Sequence, residues 1–538
     1  MSEEIKLAVL HRINELTEGK LISLIAYGSR IAGYARRDSD YDFLGVIEDF
    51  KEIIRYYYIN LDSASAALLL VDRKKFEEDV ERGTLGEFVS GRLCTVFENV
   101  YQGDFFSAQE VKFKRRIILE ELGKLKIEFK ELLPYLLIPI RYFLYSKLKE
   151  RISYYPPVKY SYVKMFFGDR GEINTNKSLI GFINALKQLE TYGIVNIIED
   201  KVRVINPDEI KAENRAKLCL KFIKKVLRSY LTHIKAGKVS PMVFLYELLS
   251  KGRRAIEGIK IPAELKKPKD LISLAEGTIF SYSRASLKKL IERICGKNAQ
   301  IVDEKREKSF LGTVFRIRVK VGEEEKTYAY KKYTDPGNLK WIPVTLYIFP
   351  VVSFTLHPKK RMINEYIFNL RLRNLGLKTP RIMALNWGSN SILMEYVEGK
   401  PLSDYISNRE LGKSRIELFF KTGRRMSELH LNNICLVDTK PQNMIVRDNE
   451  IFFTDLEQAR FDGNQAWDLA LFVYYGSKFI LDRNWVKTFV SSFIKGYLAG
   501  GGDPLSVRKI ASLKYMRIFA PFVPLTTLKS IADLIKEI

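Results

Sequence analysis

The sequence predicts a multidomain protein of the α/β and α+β classes. The chain has 538 residues, which corresponds to about three or four domains at roughly 150 residues per domain. Apolar strand patterns alternate with helical patterns near both ends of the chain, whereas the middle is helical and basic. Hydrophobic residues make up 46% of the sequence, so each domain can form a core and a largely disordered chain is excluded.

Charge and cysteine usage narrow the compartment and the class of partner. The chain contains 89 Lys and Arg against 64 Asp and Glu, a formal net charge of +25. This excess favours acidic partners such as nucleic acid, nucleotides or anionic lipid. The four cysteines form no C-x-x-C pair, which argues against a disulfide framework or a structural zinc site. The charged N-terminal segment lacks the apolar stretch of a secretory signal, so we expect a cytoplasmic protein.

The longest apolar run covers residues 341–356 (WIPVTLYIFPVVSFTL) and contains two prolines. A helix that crosses a bilayer needs about 20 predominantly apolar residues, so this run is short for a membrane span. Two interpretations stay open. The run is either an insertion packed against the rest of the protein or a contact for a membrane surface or a partner.

Residues 1–108 show the pattern of a small α/β domain. Apolar runs at 21–29, 41–47 and 66–72 predict three strands, with one helix before the first strand and another after the third. The middle strand begins beside two aspartates and the first ends in a Gly-Ser pair. These polar residues at strand ends form the first candidate site.

Each residue type in this first site suits a nucleotide. Gly28 lets a ligand approach the backbone closely, and the turn at Ser29 can present N–H groups to a phosphate. Asp40 and Asp42 are two positions apart at the start of a strand, so both carboxylates point to one side. Two such carboxylates can hold two divalent metal ions against a triphosphate, as nucleotidyl transfer requires.

The Gly-Ser turn followed by Asp-x-Asp resembles the minimal nucleotidyltransferases of the DNA polymerase β superfamily. The resemblance implies a nucleotidyltransferase-like domain over residues 1–108, with nucleotide at Gly28 and Ser29 and Mg²⁺ or Mn²⁺ at Asp40 and Asp42. The family usually carries a third carboxylate inside the next strand, and the interior of AALLLVD has none. Nucleotidyl transfer and nucleotide binding by an inactive domain therefore both stay open.

The middle of the chain is predicted to be mainly helical, beginning with a helical segment over 109–155. Over 156–207, a helix ending near Gly193 leads into two short strands, an order that resembles the second half of a winged helix. Such a domain either binds DNA or serves as a packing module. Residues 208–265 are predicted to form a basic helical connector, whose cations either bind phosphate or form the solvated face opposite an apolar side. The segment 259–270 (IKIPAELKKPKD), which overlaps the end of this connector, is expected to be a linker.

The second candidate site is spread over residues 266–538. A D-x-K-P-x-N motif brings Asp438, Lys440 and Asn443 close together, and an apolar run then leads to Asp455. Phosphoryl transfer needs a carboxylate near the acceptor hydroxyl and metal ligands beside the nucleotide phosphates. In this motif Asp438 is the candidate for the hydroxyl, and Asn443 and Asp455 are the candidates for the metal.

Two further segments upstream complete this site. Lys331 ends the strand pattern YAYK, which matches the strand that carries the nucleotide-binding lysine of kinases. Glu365 lies on a predicted helix and is the expected ion-pair partner of that lysine. Glu395 and Val397 lie where a strand passes into a connecting segment, and their backbone groups are candidates for binding an adenine edge.

The order of lysine, helix glutamate, connecting segment, D-x-K-P-x-N and strand-end aspartate resembles the protein-kinase-like fold. Its details are most similar to atypical kinases, namely the archaeal RIO and Bud32-type proteins and the lipopolysaccharide and aminoglycoside kinases. The resemblance implies a bilobal protein-kinase-like domain over residues 266–538 that uses ATP and Mg²⁺ (or Mn²⁺). In such a domain Lys331 and Glu365 hold the nucleotide, Asp438 takes the proton of the acceptor, and Lys440 approaches the transferred phosphate.

Several positions depart from the eukaryotic kinase pattern. Leu436 and Val437 stand where that pattern has His-Arg, and Glu457 stands where it has the glycine of Asp-Phe-Gly. The segment expected to cover the phosphates has a single glycine, Gly312. Asp468, in a Trp-Asp-Leu-Ala segment, is expected to anchor the catalytic loop rather than to react. These departures concern regulation and substrate type more than nucleotide binding.

The sequence therefore predicts an ATP-dependent phosphotransferase, most similar to an atypical Ser/Thr protein kinase, whose acceptor is a protein or small-molecule hydroxyl. Two alternatives stay open. In the first, the N-terminal domain moves a nucleoside monophosphate to a protein, RNA or small molecule, and the kinase-like domain regulates it. In the second, the chain is a non-enzymatic nucleic-acid or ribonucleoprotein adaptor that binds through its basic middle. The sequence determines neither the acceptor nor the oligomeric state.

Overall fold

The computed structural model describes most of the chain, in two compact units. Unit 1 is Met1–Ala275 and unit 2 is Glu276–Ile538. The described residues are 1–37, 39–61, 64–237, 260–306, 314–334, 347–348, 351–407, 412–478, 480 and 482–537. Gly312 and parts of the apolar run, 341–346 and 349–350, lie outside these residues. Within the described ranges, no helix is long and apolar enough to cross a membrane.

Unit 1 begins with an α/β part and continues with helices. Its helices are α1 (Glu3–Thr17), α2 (Ser29–Ala32), α3 (Arg73–Arg82), α4 (Asp104–Phe129), α5 (Ile140–Tyr154), α6 (Val158–Phe167), α7 (Gly171–Thr191), α8 (Arg215–Lys235) and α9 (Ala263–Lys266). Its strands are β1 (Leu21–Tyr27), β2 (Tyr41–Ile47), β3 (Ile54–Leu61), β4 (Ala64–Asp72), β5 (Glu98–Tyr101), β6 (Leu136–Pro139), β7 (Val195–Ile198), β8 (Lys201–Val204) and β9 (Ser273–Leu274).

A five-stranded sheet in the order β3-β4-β2-β1-β5 positions the first candidate site. Strands β2 and β4 run parallel, and the other neighbours are antiparallel. Continuous apolar runs predict β1, β2 and β4, and the structure confirms these three strands. Strands β3 and β5 escape prediction because β3 (IRYYYINL) interleaves polar and aromatic residues and β5 (ENVY) is short and mostly exposed.

The segment between α4 and α5 differs from the predicted helix over 109–155. Strand β6 interrupts it and pairs with both β8 and β9. Pro134 precedes β6 and Pro139 is its last residue, and proline lacks the N–H that would continue a helix. The helix-then-hairpin order predicted for 156–207 is present as α7, β7 and β8, and its assignment as a winged helix stays a prediction.

The described residues 260–270 of the predicted linker belong to unit 1. Within this segment Leu265 is 1% exposed, and Ile272 just after it is 2% exposed. Strand β9 then pairs with β6. Residue 266, the predicted start of the kinase-like domain, therefore lies inside unit 1. The prolines and lysines of IKIPAELKKPKD suggest a linker because they outnumber its few buried residues.

Unit 2 begins with a sheet-rich part and ends with helices. Its helices are α10 (Leu287–Cys295), α11 (Pro358–Asn374), α12 (Leu402–Ser407), α13 (Gly412–Leu431), α14 (Gln465–Ala470), α15 (Arg483–Ala499), α16 (Pro504–Ile510), α17 (Leu513–Phe519) and α18 (Leu525–Glu537). Its strands are β10 (Ile279–Ser281), β11 (Gln300–Arg306), β12 (Val314–Val321), β13 (Glu324–Lys332), β14 (Ile382–Asn386), β15 (Ser391–Glu395), β16 (Lys400–Pro401), β17 (Ile434–Cys435), β18 (Met444–Arg447), β19 (Glu450–Phe453) and β20 (Arg460–Phe461).

The sheets of unit 2 hold the segments that carry the second candidate site. A six-stranded sheet has the order β10-β14-β15-β13-β12-β11, so the lysine strand β13 lies between β15 and β12. Two small sheets, β16-β18-β19 and β17-β20, frame the D-x-K-P-x-N segment. Buried side chains of the later helices, among them Trp467 and Phe489, form the core beneath it.

The described part of the apolar run 341–356 packs into this helical core. Ile348, Val352 and Phe354 are buried members of the core cluster. The hydroxyl of Tyr347 donates to the backbone carbonyl of Ile518 at 3.3 Å. These contacts favour the interpretation as a packed insertion, and contact with a membrane surface or a partner stays a prediction.

Candidate active site

Lys331 lies among three buried or partly buried carboxylates in unit 2. Its Nζ is 2.7 Å from Oε2 of Glu365 and also contacts Oδ1 of Asp455. Oε2 of Glu457 lies 3.3 Å from the same Nζ. Burial lowers the pKa of Lys331, but Asp455, Glu365 and Glu457 outweigh burial and raise the pKa well above its usual range. The side chain is therefore a cation at pH 7.

Local structure brings these residues together from three segments. Lys331 is paired with Ile392 of β15 in the middle of the sheet. Helix α11 starts at Pro358, a residue suited to a first helical turn, and Glu365 lies on its buried face. Asp455 follows β19 and has a φ of 60°, a left-handed conformation that aspartate adopts more readily than most residues.

Glu457 belongs to this site, although in the sequence it stands out only because it occupies the position of the glycine in Asp-Phe-Gly. It is 3% exposed, and its Oε1 lies 3.4 Å from Nε of Arg361. The side-chain amide of Asn364 donates to its backbone carbonyl at 3.1 Å. Burial raises the pKa of Glu457, although Lys331 opposes this effect. In the sequence, the indication of this role is a second acidic residue two positions after Asp455, in the segment that follows an apolar strand.

The D-x-K-P-x-N segment forms a second polar group. Nζ of Lys440 is 2.8 Å from Oδ1 of Asp438, and Nδ2 of Asn443 donates to the backbone carbonyl of Asp438 at 2.9 Å. Burial lowers the pKa of Lys440, but Asp438 and, more weakly, Asp455 raise it above its usual range. Asp455 thus acts on the lysines of both groups, and its carboxylate links them.

Asp468 holds the backbone that leads into this segment. Its carboxylate accepts hydrogen bonds from the backbone N–H groups of Leu436 at 2.6 Å and Val437 at 2.8 Å. Nε2 of His430 lies 3.4 Å from Oδ2 of Asp468, and Thr439 donates to the Asp468 carbonyl at 2.7 Å. Val437 has a φ of 67°, which is costly for a β-branched residue. These contacts agree with the expected anchoring role.

Glu395 and Val397 lie where β15 passes into an irregular segment. The carboxylate of Glu395 pairs with Arg447 at 3.2 Å and accepts from the backbone N–H of Arg381 at 3.2 Å. Its backbone N–H donates to the Arg381 carbonyl at 2.8 Å. The side chain is therefore engaged within the protein, and adenine binding by the backbone of Glu395 and Val397 stays a prediction.

The acidic residues around Lys331 fit a divalent cation. One oxygen each from Glu365, Asp455 and Glu457 lie within 4.8 Å of one another. Carboxylate and amide oxygens are the ligands that Mg²⁺ prefers. The side-chain nitrogen of Asn443 is used by the Asp438 carbonyl, which leaves its oxygen as the atom for a metal. Asp455 and Asn443 are therefore chemically suited to the role predicted for them.

In unit 1, Gly28, Ser29 and Asp42 line one cavity of about 420 Å³. Gly28 has a φ of 84°, and a Cβ there would collide with Oδ2 of Asp42, so only glycine fits. Ser29 starts α2, which is a single turn. Asp40 lies just before β2 and accepts a hydrogen bond from Oγ of Ser65. Asp42 therefore lies at the wall of this cavity, whereas Asp40 is not among its described lining residues.

The third carboxylate of the nucleotidyltransferase pattern is absent from β4. Ala67 stands opposite Asp42 across the parallel pair, and β4 (ASAALLLVD) carries its first acid at Asp72. The carboxyl group of Asp72 accepts from the backbone N–H groups of Lys75 and Phe50. Asp72 thus caps α3 and closes a turn instead of completing the first site.

The basic connector contributes charge to the interior of unit 1. Nζ of Lys225 on α8 lies 2.8 Å from Glu87, 3.4 Å from Glu120 and 3.2 Å from Glu150. At least this cation of the connector is therefore neutralised inside the protein. Nucleic-acid binding by the remaining cations stays a prediction.

Comparison with known proteins finds relatives of part of the chain. KEOPS complex subunit Bud32 of Pyrococcus abyssi is 25% identical over 158 residues, 29% of this chain and 71% of that protein. A probable serine/threonine-protein kinase BUD32 homolog of Archaeoglobus fulgidus is 29% identical over 165 residues, 28% of this chain and 80% of that protein. The EKC/KEOPS complex subunit bud32 of Dictyostelium discoideum is 25% identical over 182 residues, 33% of this chain and 69% of that protein. No protein-family model matches the chain.

A solved structure of aminoglycoside phosphotransferase APH(2'')-Ib with bound ADP is also similar, with 13% identity and a TM-score of 0.26. The alignment covers 46% of this chain and 96% of that one. The sequence relatives match an atypical, Bud32-type kinase-like domain, and at this level the prediction of a kinase-like domain is confirmed. They include a eukaryotic protein, so the similarity does not assign an archaeal source. They do not show the predicted nucleotidyltransferase-like and winged-helix-like domains.

Proposed function

We propose that unit 2 transfers the γ-phosphate of ATP to a hydroxyl group, with a protein serine or threonine as the acceptor. The observation that carries this proposal is the ion pair of Lys331 with Glu365, 2.7 Å long, with Asp455 against the same ammonium group. Phosphoryl transfer depends on such a fixed cation for the nucleotide phosphates and on a carboxylate for the metal beside them.

The roles of the remaining residues follow from their positions. Asp438 accepts the proton of the acceptor hydroxyl as its oxygen bonds to the γ-phosphorus and the bond to the β-phosphate oxygen breaks. Lys440, 2.8 Å from Asp438, supplies positive charge to the transferred phosphoryl group. Asn443 and Asp455 would hold Mg²⁺ (or Mn²⁺), whose charge offsets that of the phosphates. ADP leaves with the electron pair of the broken bond.

The relatives support a protein acceptor and a protein partner. Two of them are named as subunits of KEOPS or EKC/KEOPS complexes and one as a probable serine/threonine-protein kinase. By this similarity, we propose that the chain works in contact with another protein. A small-molecule hydroxyl remains the alternative acceptor. The labelling experiment described next distinguishes a protein acceptor from a small-molecule acceptor.

The test is incubation of the full chain with Mg²⁺ and γ-labelled ATP, alone and with a generic protein acceptor. We expect Asp438→Asn to lower the rate of labelling by about 10²–10⁴-fold, the usual contribution of a general base, with ATP affinity retained. Asp533→Asn, an exposed change on α18, is the matched control and keeps the wild-type rate. Labelling that is equal in Asp438→Asn and wild type would contradict the proposal. Label on an added small-molecule alcohol, with none on protein, would favour the small-molecule acceptor.

A second candidate function is nucleotidyl transfer in unit 1. It is favoured by one observation, the carboxylate of Asp42 packed against the Gly28 backbone at the wall of a cavity. The test uses α-labelled ATP, with Asp42→Asn compared with Asp49→Asn, an exposed turn residue. Label that disappears only in Asp42→Asn supports the transfer. Label that persists in that variant, or is never incorporated, removes this candidate.

A further inference from the structure

Unit 1 contains a cavity whose lining carries more positive than negative charge. It lies between the five-stranded sheet and helices α5, α6 and α8, and its volume of about 420 Å³ is in the range of small-molecule sites. Arg36, Arg92 and Arg151 line it, and Asp42 is the one carboxylate among its described lining residues. The lining residues alone therefore do not neutralise this positive charge.

Arg92 is held by aromatic and neutral groups. Its guanidinium carbon lies 5.1 Å from the ring centre of Tyr27 and 4.6 Å from that of Phe88. Nη2 donates to the hydroxyl of Tyr56 at 2.8 Å, and Nη1 donates to the Phe88 carbonyl. Nε is buried, and within the described chain it has no hydrogen-bond partner. The side chain is thus oriented without a counter-ion.

Arg151, on α5, is 8% exposed and is held in a similar way. Nε donates to the hydroxyl of Tyr162 at 2.6 Å, and Nη1 donates to the backbone carbonyl of Glu87 at 2.9 Å. A Cβ at Gly91 would collide with this guanidinium, so the glycine makes room for it. Among the described residues, no carboxylate comes within the 4.0 Å of an ion pair to Arg92 or Arg151.

The tyrosines around these two arginines supply no compensating charge at pH 7. Burial raises the pKa of Tyr27, Tyr154 and Tyr162 above the usual range, so these phenols stay neutral. The Glu87 carboxylate is near enough to help raise the pKa of Arg151, but its ion pairs are with three other cations, which are Lys147, Lys225 and Arg116. A buried cation without a direct ion pair is costly, so the buried Arg151 and the partly buried Arg92 in one cavity favour an anionic ligand.

We propose that this cavity binds a small organic anion with a planar body, whose carboxylate or phosphate lies against Arg92 and Arg151. The fork of N–H groups on a guanidinium matches the oxygens of either anion. Besides the rings of Tyr27 and Phe88, which Arg92 covers, Tyr154 and Tyr160 line the cavity and offer ring surface for the body of the ligand. The inference goes beyond phosphoryl transfer by unit 2 and does not depend on it.

The position of this cavity also bears on the second candidate function. Gly28, Ser29 and Asp42 line the same cavity. A nucleotidyl transfer beside Asp42 would therefore have room in this cavity for a small-molecule acceptor, because a volume of about 420 Å³ is in the range of small-molecule sites. Binding of the anion stands without this transfer, so the two statements fail independently.

The first test measures binding of four probes to the full chain by ligand-observed NMR. Phenyl phosphate and benzoate carry a planar ring with each of the two anionic groups. Benzyl alcohol keeps the ring without the charge, and inorganic phosphate keeps the charge without the ring. We expect at least one ringed anion to bind about tenfold or more tightly than both controls, and the better one identifies the anionic group. Equal affinity for benzyl alcohol, or for inorganic phosphate alone, would overturn the proposal.

The second test changes the arginine fork. Arg92→Gln is expected to weaken the tighter ringed anion by about tenfold or more, consistent with loss of a charge-assisted hydrogen bond, and Arg92→Lys by a smaller factor. Arg12→Gln, on the exposed face of α1, is the matched control with unchanged affinity. γ-Phosphate transfer by unit 2 remains at the wild-type rate in all three variants. Unchanged anion affinity in folded Arg92→Gln, or in Arg92→Lys if the glutamine variant fails to fold, would overturn the proposal.

Discussion

Lys331 shares one ammonium group among three carboxylates, and this sharing explains how so many acids remain close together in unit 2. Lys331 lies 2.7 Å from Glu365 and 3.3 Å from Glu457, and it also contacts Asp455. Arg361 lies 3.4 Å from Glu457. Within this group two cationic side chains meet three carboxyl groups. A divalent cation bound at Asp455 would add positive charge and draw nucleotide phosphates towards Lys331.

Asp468 acts at the same scale but through the backbone. Its carboxylate fixes Val437 in a left-handed conformation, one residue before Asp438. In Asp468→Asn, an amide N–H₂ replaces one acceptor and faces a buried backbone N–H, which costs about 1–3 kcal/mol of the free energy of unfolding. We expect kcat for phosphoryl transfer to fall while KM for ATP changes little, because Lys331 is not displaced.

The measurements for this prediction are chemical denaturation and steady-state kinetics, with Asp533→Asn as the control. A loss of stability with unchanged kcat would show that Asp468 supports the fold only. A rise in KM equal to the fall in kcat would also contradict the prediction, since it would mean that nucleotide binding had been disturbed.

At the scale of elements, α4, α5 and α8 meet through buried charges. Burial raises the pKa of Glu87, but Lys147, Lys225 and Arg116 outweigh burial and hold the pKa well below its usual range. Burial likewise raises the pKa of Glu150, and Lys147, Lys225 and Lys124 outweigh it, so this pKa is also lowered. Helix α4 contributes Arg116 and Lys124 to the cluster, α5 contributes Lys147 and α8 contributes Lys225.

Helix α8 does not bury the side that its amphipathic sequence pattern suggests. Its leucines suggest a buried apolar side, yet Leu220 and Leu227 are each 58% exposed. Ser229 and Thr232 are buried instead, at 4% exposure each. Amphipathic periodicity identifies a helix, but it does not determine which side faces the protein when buried acids attract the lysines.

The lowered pKa values of Glu87 and Glu150 predict acid sensitivity of unit 1. A carboxylate with a folded-state pKa below its unfolded value stabilises the fold above the unfolded pKa of about 4.5, and this stabilisation is lost as pH falls through the folded pKa. We therefore expect the free energy of unfolding of unit 1 to fall below about pH 4.5. In Glu87→Gln it is lower at pH 7 by about 3–5 kcal/mol and depends less on pH.

Hydrogen exchange of α4, α5 and α8 between pH 7 and pH 3, corrected for intrinsic rates, measures this effect. Glu4→Gln, on exposed α1, is the control and follows the wild-type pH dependence. A wild-type protein whose unit 1 is equally protected at pH 7 and pH 3 would show that these ion pairs contribute no net stability.

At the scale of the whole molecule, each unit has its own candidate site. All four tryptophans, which are Trp341, Trp387, Trp467 and Trp485, belong to unit 2. Tryptophan fluorescence therefore reports on unit 2 alone, and unit 1 needs a separate probe. A single unfolding transition should not be assumed for a chain of two compact units.

We expect the two sites to respond to mutation separately, because each is built from residues of one unit. In the full chain, Asp438→Asn lowers the rate of γ-phosphate transfer by about 10²–10⁴-fold and leaves affinity for the ringed anion unchanged. Arg92→Gln has the opposite pattern. Parallel kinetic and NMR measurements on the two variants check this prediction. Loss of both properties in either variant, with the fold intact by circular dichroism, would instead demonstrate coupling between the units.

A site could be predicted from the sequence more readily when its residues lie close together along the chain. Asp438, Lys440 and Asn443 are close along the chain, and the structure keeps them together through contacts of 2.8 Å and 2.9 Å. Lys331 and Glu365 are 34 positions apart and were predicted through the order of motifs. The participation of Glu457 depends on a packing arrangement that the same order of motifs does not specify.

The sequence by itself determined the strands with continuous apolar runs, the turn at Gly28 and the short motif around Asp438, because neighbouring residues decide these features. Only the tertiary structure decided the orientation of α8, the strand β6, and the meeting of Arg92 with Arg151 in one cavity. Burial and electrostatic fields sum over residues that are distant in the chain but close in space. No local pattern of residue types contains that sum.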